Sequence, residues 1–203
     1  MTLNTDLQIL KRISKARRGV LFFTENFVRF GTPDAVRQAL GRLVKKGELD
    51  RVTTGIYVRS EYDPVIGKIT PGIEDIARAI AKRDKARIVP TGDYALHKLG
   101  LTTQVPMKVV FLTDGSARKI TIGKRSITFK KASPKNVAAV GEISSLVIQA
   151  LRTIGKDELT EEQRLKIDAL LRKEKPTKLE HDMRLAPAWI REIIKPILKE
   201  VRP

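Results

Sequence analysis

The chain has 203 residues, 41% of them hydrophobic, enough for one large or two small domains with true cores and too many for a disordered chain. Lys and Arg number 40 against 23 Asp and Glu, a formal charge of +17, and such an excess repels itself unless an anionic partner neutralises it. Cysteine is absent, which excludes disulfide frameworks, thiolate zinc sites and cysteine nucleophiles. No run of about eighteen apolar residues and no signal-like N-terminus occur, so a cytoplasmic chain without membrane contact is expected.

Leu3, Leu7, Ile9, Leu10 and Ile13 recur near helical spacing and predict a first amphipathic helix over 3–16, with Lys11, Arg12 and Lys15 opposite. Thr24 is suited to cap a short helix over 25–30, which Gly31 can end. Thr32 caps again and Pro33 takes the first helical position, where its missing N–H is harmless. Val36, Ala39, Leu40, Leu43 and Val44 then mark one face of a helix that Gly47 closes. Two strand-like runs, 49–53 and 56–59, meet around Thr54 and Gly55 as a hairpin. Helix, turn, helix and hairpin in this order predict a winged helix-turn-helix over 1–62.

Pro64, Gly67 and Pro71 break the pattern over 62–71, which reads as a linker to a second domain at 72–203. There, helices are expected over 73–82 and 93–99, then strand-like alternation over 107–129. The run KITIGKRSITFK alternates apolar and polar residues around Gly123 and predicts a hairpin with a wet, basic face. From Gly141 onward the periodicity is helical: 143–154, a capping box of Thr160 with Gln163 opening a helix towards Arg172, and 189–201 interrupted at Pro196. The expected class is α+β, a winged helix-turn-helix followed by a mixed α/β domain with a basic β-hairpin and a C-terminal helical bundle.

With its apolar stripe turned inward, the third helix turns Arg37, Gln38, Gly41, Arg42 and Lys45 outward or to the flanks. Arg can fork onto guanine, Gln can pair with adenine, Gly41 permits close approach, and Thr32 with its neighbouring amides can hold a phosphate. Arg51, Thr53, Thr54 and Arg59 on the hairpin, with Arg17 and Arg18 after the first helix, have the chemistry of phosphate clamps. Residues 1–60 carry twelve Lys and Arg against five acids. Any one of these charges alone reads as part of a solvated helix face; the order of elements shifts the balance to double-stranded DNA.

The stretch FTENFVRFGTPDAVRQALGRLVKKGELDRVTTGIYVR resembles the winged helix of AbiEi-type antitoxins from bacterial type IV toxin–antitoxin systems. PTGDYALHKLGLTTQVPMKVVFLTDG resembles the start of their second domain, and its LGL-x-x-QVP run is the more distinctive part. The resemblance covers roughly half the chain, leaving out the helical tail. It implies a repressor of its own operator that also opposes a cognate nucleotidyltransferase-like toxin through the second domain, with or without direct contact.

Catalytic chemistry finds little support. Gly115-Ser116 could mark a nucleotidyltransferase, but that chemistry needs closely spaced carboxylates to hold metal, and after Asp114 the next acid is Glu142. His97 and His181 lack a nucleophile or paired carboxylate in sequence, and Glu161 and Glu162 suit the first turn of a helix. No enzyme, cofactor or metal is expected, and Trp189 reads as a core or partner-facing anchor. The competing class is an RNA-binding or ribosome-associated protein: residues 107–135 carry eight Lys and Arg against Asp114 alone, with Lys119, Lys124, Arg125 and Lys130 forming a possible second basic patch. An RNA reader usually adds exposed aromatic rings, whereas Phe111 and Phe129 sit on apolar registers.

Overall fold

The computed structural model describes residues 4–201. The chain is a mixed α+β protein that divides into two compact units, Met1–Ala79 and Ile80–Pro203.

In the first unit, α1 (Thr5–Ser14), β1 (Leu21–Phe23), a 3-10 helix η1 (Thr24–Phe30) and α2 (Pro33–Lys45) precede β2 (Asp50–Thr53) and β3 (Ile56–Val58). Asn4 opens α1 by accepting the Asp6 N–H at 3.1 Å. The helical phase read from sequence is buried in part: Ile9 and Ile13 of α1 meet Val36, Ala39, Leu40 and Leu43 of α2, with Phe22, Phe27, Leu49 and Tyr57 completing the core, whereas Leu10 is half-buried and Leu7 is exposed. Leu3 lies outside the described residues. The strands form an antiparallel sheet in the order β1-β3-β2, with Leu21 opposite Val58 and Asp50 opposite Val58 on the other side.

Three features of this unit differ from the sequence reading. A third strand, β1, joins the hairpin; three residues are too few to show periodicity. Thr24 does not cap η1: Phe23 holds that position, and the Asn26 side chain accepts the Phe23 N–H at 2.8 Å. The stretch read as a linker is a hairpin, β4 (Glu61–Asp63) paired with β5 (Gly67–Ile69). Asp63 Oδ1 accepts the N–H groups of Val65 and Ile66 at 2.8 and 3.0 Å, and Gly67 takes φ +79°, so Pro64 and Gly67 serve as turn residues, while Pro71 follows the hairpin. The division of the chain falls later than expected, within α3 (Ile73–Arg83).

The second unit opens with β6 (Ile88–Thr91), α4 (Asp93–Lys98), β7 (Lys108–Thr113), β8 (Arg118–Ile122) and β9 (Arg125–Lys131). The sheet order is β6-β7-β9-β8, parallel between β7 and β9 and antiparallel elsewhere, with the expected hairpin turning at Gly123. Phe111 packs between Tyr94 and Phe129, 5.8 and 6.0 Å between ring centroids. After a 3-10 turn at Pro134–Val137 come α5 (Glu142–Ile154), α6 (Glu161–Leu171), α7 (Pro176–Leu185) and α8 (Ala188–Val201), whose apolar faces share a core with α4. Thr160 and Gln163 form the expected capping box.

Pro196 does not interrupt α8, which runs through it. Loss of one backbone donor is outweighed by the stripe Ile190, Ile194, Ile197 and Leu198 buried along the same helix. Trp189 is half-buried and packs against that core. Among the described residues no helix is long and apolar enough to cross a membrane.

Candidate nucleic-acid interface

The surface begins with α2. Thr32 Oγ1 accepts the Ala35 N–H at 3.3 Å and the Thr32 carbonyl accepts the Val36 N–H at 2.9 Å, so this residue acts as the helix cap. A Schellman-like end follows, in which Gly47 at φ +74° lets the Glu48 N–H reach the Leu43 carbonyl at 3.0 Å. Between these caps, Arg37, Gln38, Gly41, Arg42 and Lys45 are all exposed. An added Cβ at Gly41 would meet nothing within 4 Å, so the helix there presents bare backbone to an incoming ligand.

The two arginines of this face have different partners. Arg37 pairs with Asp34 one turn back, both side chains well exposed. Arg42 forks onto Asp6 of α1 through Nε at 2.9 Å and Nη2 at 2.7 Å, and so ties α2 to α1. The Arg42 hydrogen bonds hold the Asp6 carboxyl below the usual carboxylate range, with Lys46 adding to the effect. Sequence reasoning missed Asp6: a contact between residues 36 positions apart has no local signature.

On the hairpin, Arg51 is exposed and Nη2 donates to Thr54 Oγ1 at 3.2 Å, beside Gly55 at φ +76°. The register shifts between Arg51 and Thr53, and Thr53, opposite Ile56, is half-buried. Arg59 is half-buried and donates to the Ser14 carbonyl at 3.4 Å, while Arg18 donates to the Ser60 carbonyl at 3.1 Å. These two arginines fasten the end of β3 and the segment after it to the chain around α1. Arg37, Gln38, Lys45 and Arg51 therefore stand out toward solvent; Thr32 and Arg42 are also exposed but hold structure together, as does the half-buried Arg59.

The second basic patch is not one surface. Strand alternation and register put Lys119 and Lys130 on one face of the sheet as diagonal neighbours, with Lys108 beyond Ser126 on the same side. Lys124 lies in the turn, and Arg125 belongs to the opposite face, half-buried, with Nε lacking a hydrogen-bond partner. Phe111 and Phe129 are buried and offer no stacking platform.

The residues weighed for catalysis have local explanations. Asp114 accepts both the backbone N–H and the Nε of Arg87, at 2.7 and 2.8 Å, and Gly115 sits so close to Ala86 that a Cβ would fall 2.7 Å from its methyl. His181 Nδ1 lies 2.8 Å from Asp182, and His97 is half-buried. Among the described residues no three of His, Asp and Glu gather where they could hold a metal ion.

Fold and surface together define a mixed α+β protein of two units whose N-terminal part exposes cationic and amide side chains on one helix and one hairpin. The chain belongs to DUF6088, a family of unknown function, which matches residues 8–179. It is similar to a solved protein described as "Crystal structure of RV2827C protein from Mycobacterium tuberculosis", at 11% identity and a TM-score of 0.48, over 100% of this chain and 83% of that one. No curated protein matches the sequence.

Proposed function

We propose that the first unit is a winged helix-turn-helix and that the chain is a double-stranded DNA-binding repressor of its own operator. The observation that carries this reading is the division of α2: Val36, Ala39, Leu40 and Leu43 are at most 2% exposed while Arg37, Gln38, Gly41 and Lys45 stand outward, on the helix that leads into a hairpin. In this reading α2 enters the major groove, η1 is the preceding helix, and β2 with β3 is the wing. Arg37 and Gln38 contact bases; Lys45 and Arg51 contact phosphates.

The resemblance to AbiEi-type antitoxins supports a second role, in which the chain opposes a nucleotidyltransferase-like toxin from the cytoplasm. The face carrying Lys119 and Lys130 suits either a second DNA contact or an acidic partner. No reaction is assigned to the chain, and no cofactor or metal enters the proposal.

The test is a footprint of the full chain on the DNA preceding its own gene, with Arg37→Ala and Gln38→Ala as variants. A protected site that both variants lose, while binding to random duplex persists, is the expected result. Equal affinity for that DNA and for random sequence would remove the repressor reading.

A further inference from the structure

Two surfaces of the first unit lie outside the proposed DNA contacts, and their chemistry is complementary. The first is the β4–β5 hairpin. Tyr62, Val65, Ile66 and Ile69 are all exposed, Val65 at 91% and Ile66 at 75%. Scattered exposed apolar residues are ordinary, but four within one nine-residue ribbon mark a contact surface. The tip is also held in shape: Asp63 closes the turn, and Lys68 pairs with Asp50 of β2. Glu61 and Asp63 make its flank acidic in a chain of net charge +17.

The second surface is a groove of about 370 Å³ between α1 and η1. Leu7 and Phe30 give it apolar walls, Lys11, Arg12, Lys15 and Arg29 surround them, and among the described residues no acid lines it. The Arg29 guanidinium lies 5.0 Å from the centre of the Phe30 ring, so cation and apolar surface are contiguous.

We infer that the hairpin tip of one copy docks into the α1–η1 groove of a second copy. Val65 and Ile66 cover Leu7 and Phe30, and Glu61 and Asp63 face the four cations. The occupant is a second copy because the acidic, apolar knob and the basic, apolar hollow are both built into this chain. Nucleic acid would satisfy the cations of the groove but leave Leu7 and the hairpin tip uncovered. The contact joins two different patches, so it is heterologous: the copy that gives its knob keeps a free hollow and the copy that receives it keeps a free knob, unless the assembly closes.

Sedimentation of the nuclease-treated full chain without DNA tests this, at several concentrations and at low and high salt. Self-association that weakens with salt is expected. A tip variant, Val65→Asp with Ile66→Asp, and a groove variant, Lys11→Glu with Lys15→Glu and Arg29→Glu, should each associate at least roughly tenfold more weakly. An equimolar mixture of the two should recover a one-to-one complex, because the tip variant keeps an intact groove and the groove variant an intact tip. Because the chain is free of cysteine, Val65→Cys and Leu7→Cys chains supply a second measurement that needs no charge reversal. Mild oxidation of their mixture should yield the mixed disulfide in preference to either homodimer. A wild type that is monomeric throughout, a mixture no better than its parts, or random disulfide pairing would overturn the inference. A groove variant that loses DNA affinity while self-association is unchanged would overturn it too and return the groove to the DNA surface.

Discussion

Arg37 and Arg42 share the outward phase of α2, yet Asp6 separates their roles. Arg37→Ala is expected to leave thermal stability unchanged and to cost about 1–3 kcal/mol of specific DNA binding, read by fluorescence anisotropy. Arg42→Ala should instead lower the melting temperature, because it removes a bidentate bond between α1 and α2. The pH dependence follows from Asp6, whose carboxyl Arg42 holds below its usual range. A depressed carboxylate contributes stability above its unfolded value, near about pH 4, and loses it as pH falls through the folded value. The gap between wild type and Arg42→Ala should therefore persist at neutral pH and close in acid. Asp168 is the opposite case: burial raises its pKa despite Arg164 and Arg172 nearby, and its Oδ1 is buried without a hydrogen-bond partner. Ionised Asp168 opposes folding, so Asp168→Asn should stabilise the protein at neutral pH, with no gain below about pH 4. Thermal melts at the two pH values check this.

At the scale of elements, what could be read in the sequence was what local pattern dictates. The buried stripes of α1 and α2, the Thr32 cap, the Gly55 and Gly123 turns and the Thr160 capping box each follow from residues within one or two turns of each other. The N-terminus of α5 does not. Its caps come from far along the chain: Asp182 accepts from the N–H groups of Val140 and Gly141 and from Ser144 Oγ, at 2.8, 2.8 and 2.5 Å. Glu174 accepts from the N–H groups of Ile143 and Ser144 at 2.8 and 3.2 Å. The helix start was legible at Gly141, but carboxylates 30 to 42 residues away leave no spacing to find. Gly141 is required by crowding, since an added Cβ would collide with Ser144 Oγ and fall 2.7 Å from Glu174 Oε2. Asp182→Ala should cost about 3 kcal/mol or more, because it strands several buried donors at once, and Gly141→Ala should also destabilise. Urea unfolding of both variants measures this. The β4–β5 hairpin was illegible for another reason: Pro and Gly signal a turn equally well inside a ribbon and inside a linker.

For the whole molecule, the late division of the chain makes its own prediction. A fragment of residues 1–79 keeps Lys68 with Asp50 and should unfold cooperatively and bind DNA, whereas a fragment ending at Tyr62 loses that pair and β5 and should be less stable. Far-UV melts of the two fragments decide it. The candidate DNA surface was readable from sequence as a set of outward residues, but their sorting was not, because Asp6 and the Ser14 carbonyl reach Arg42 and Arg59 through the fold.

The central claim is that the first unit binds double-stranded DNA through α2 and the β2–β3 hairpin. A salt titration of the full chain on the DNA preceding its own gene tests it most directly, with Arg37→Ala and Lys45→Ala alongside wild type. Log affinity should fall linearly with log salt, by about 0.9 for each phosphate neutralised. Lys45→Ala should reduce that slope by about one, and Arg37→Ala should lower affinity for this DNA at an almost unchanged slope. A flat salt dependence, or variants indistinguishable from wild type in both affinity and slope, would contradict the account.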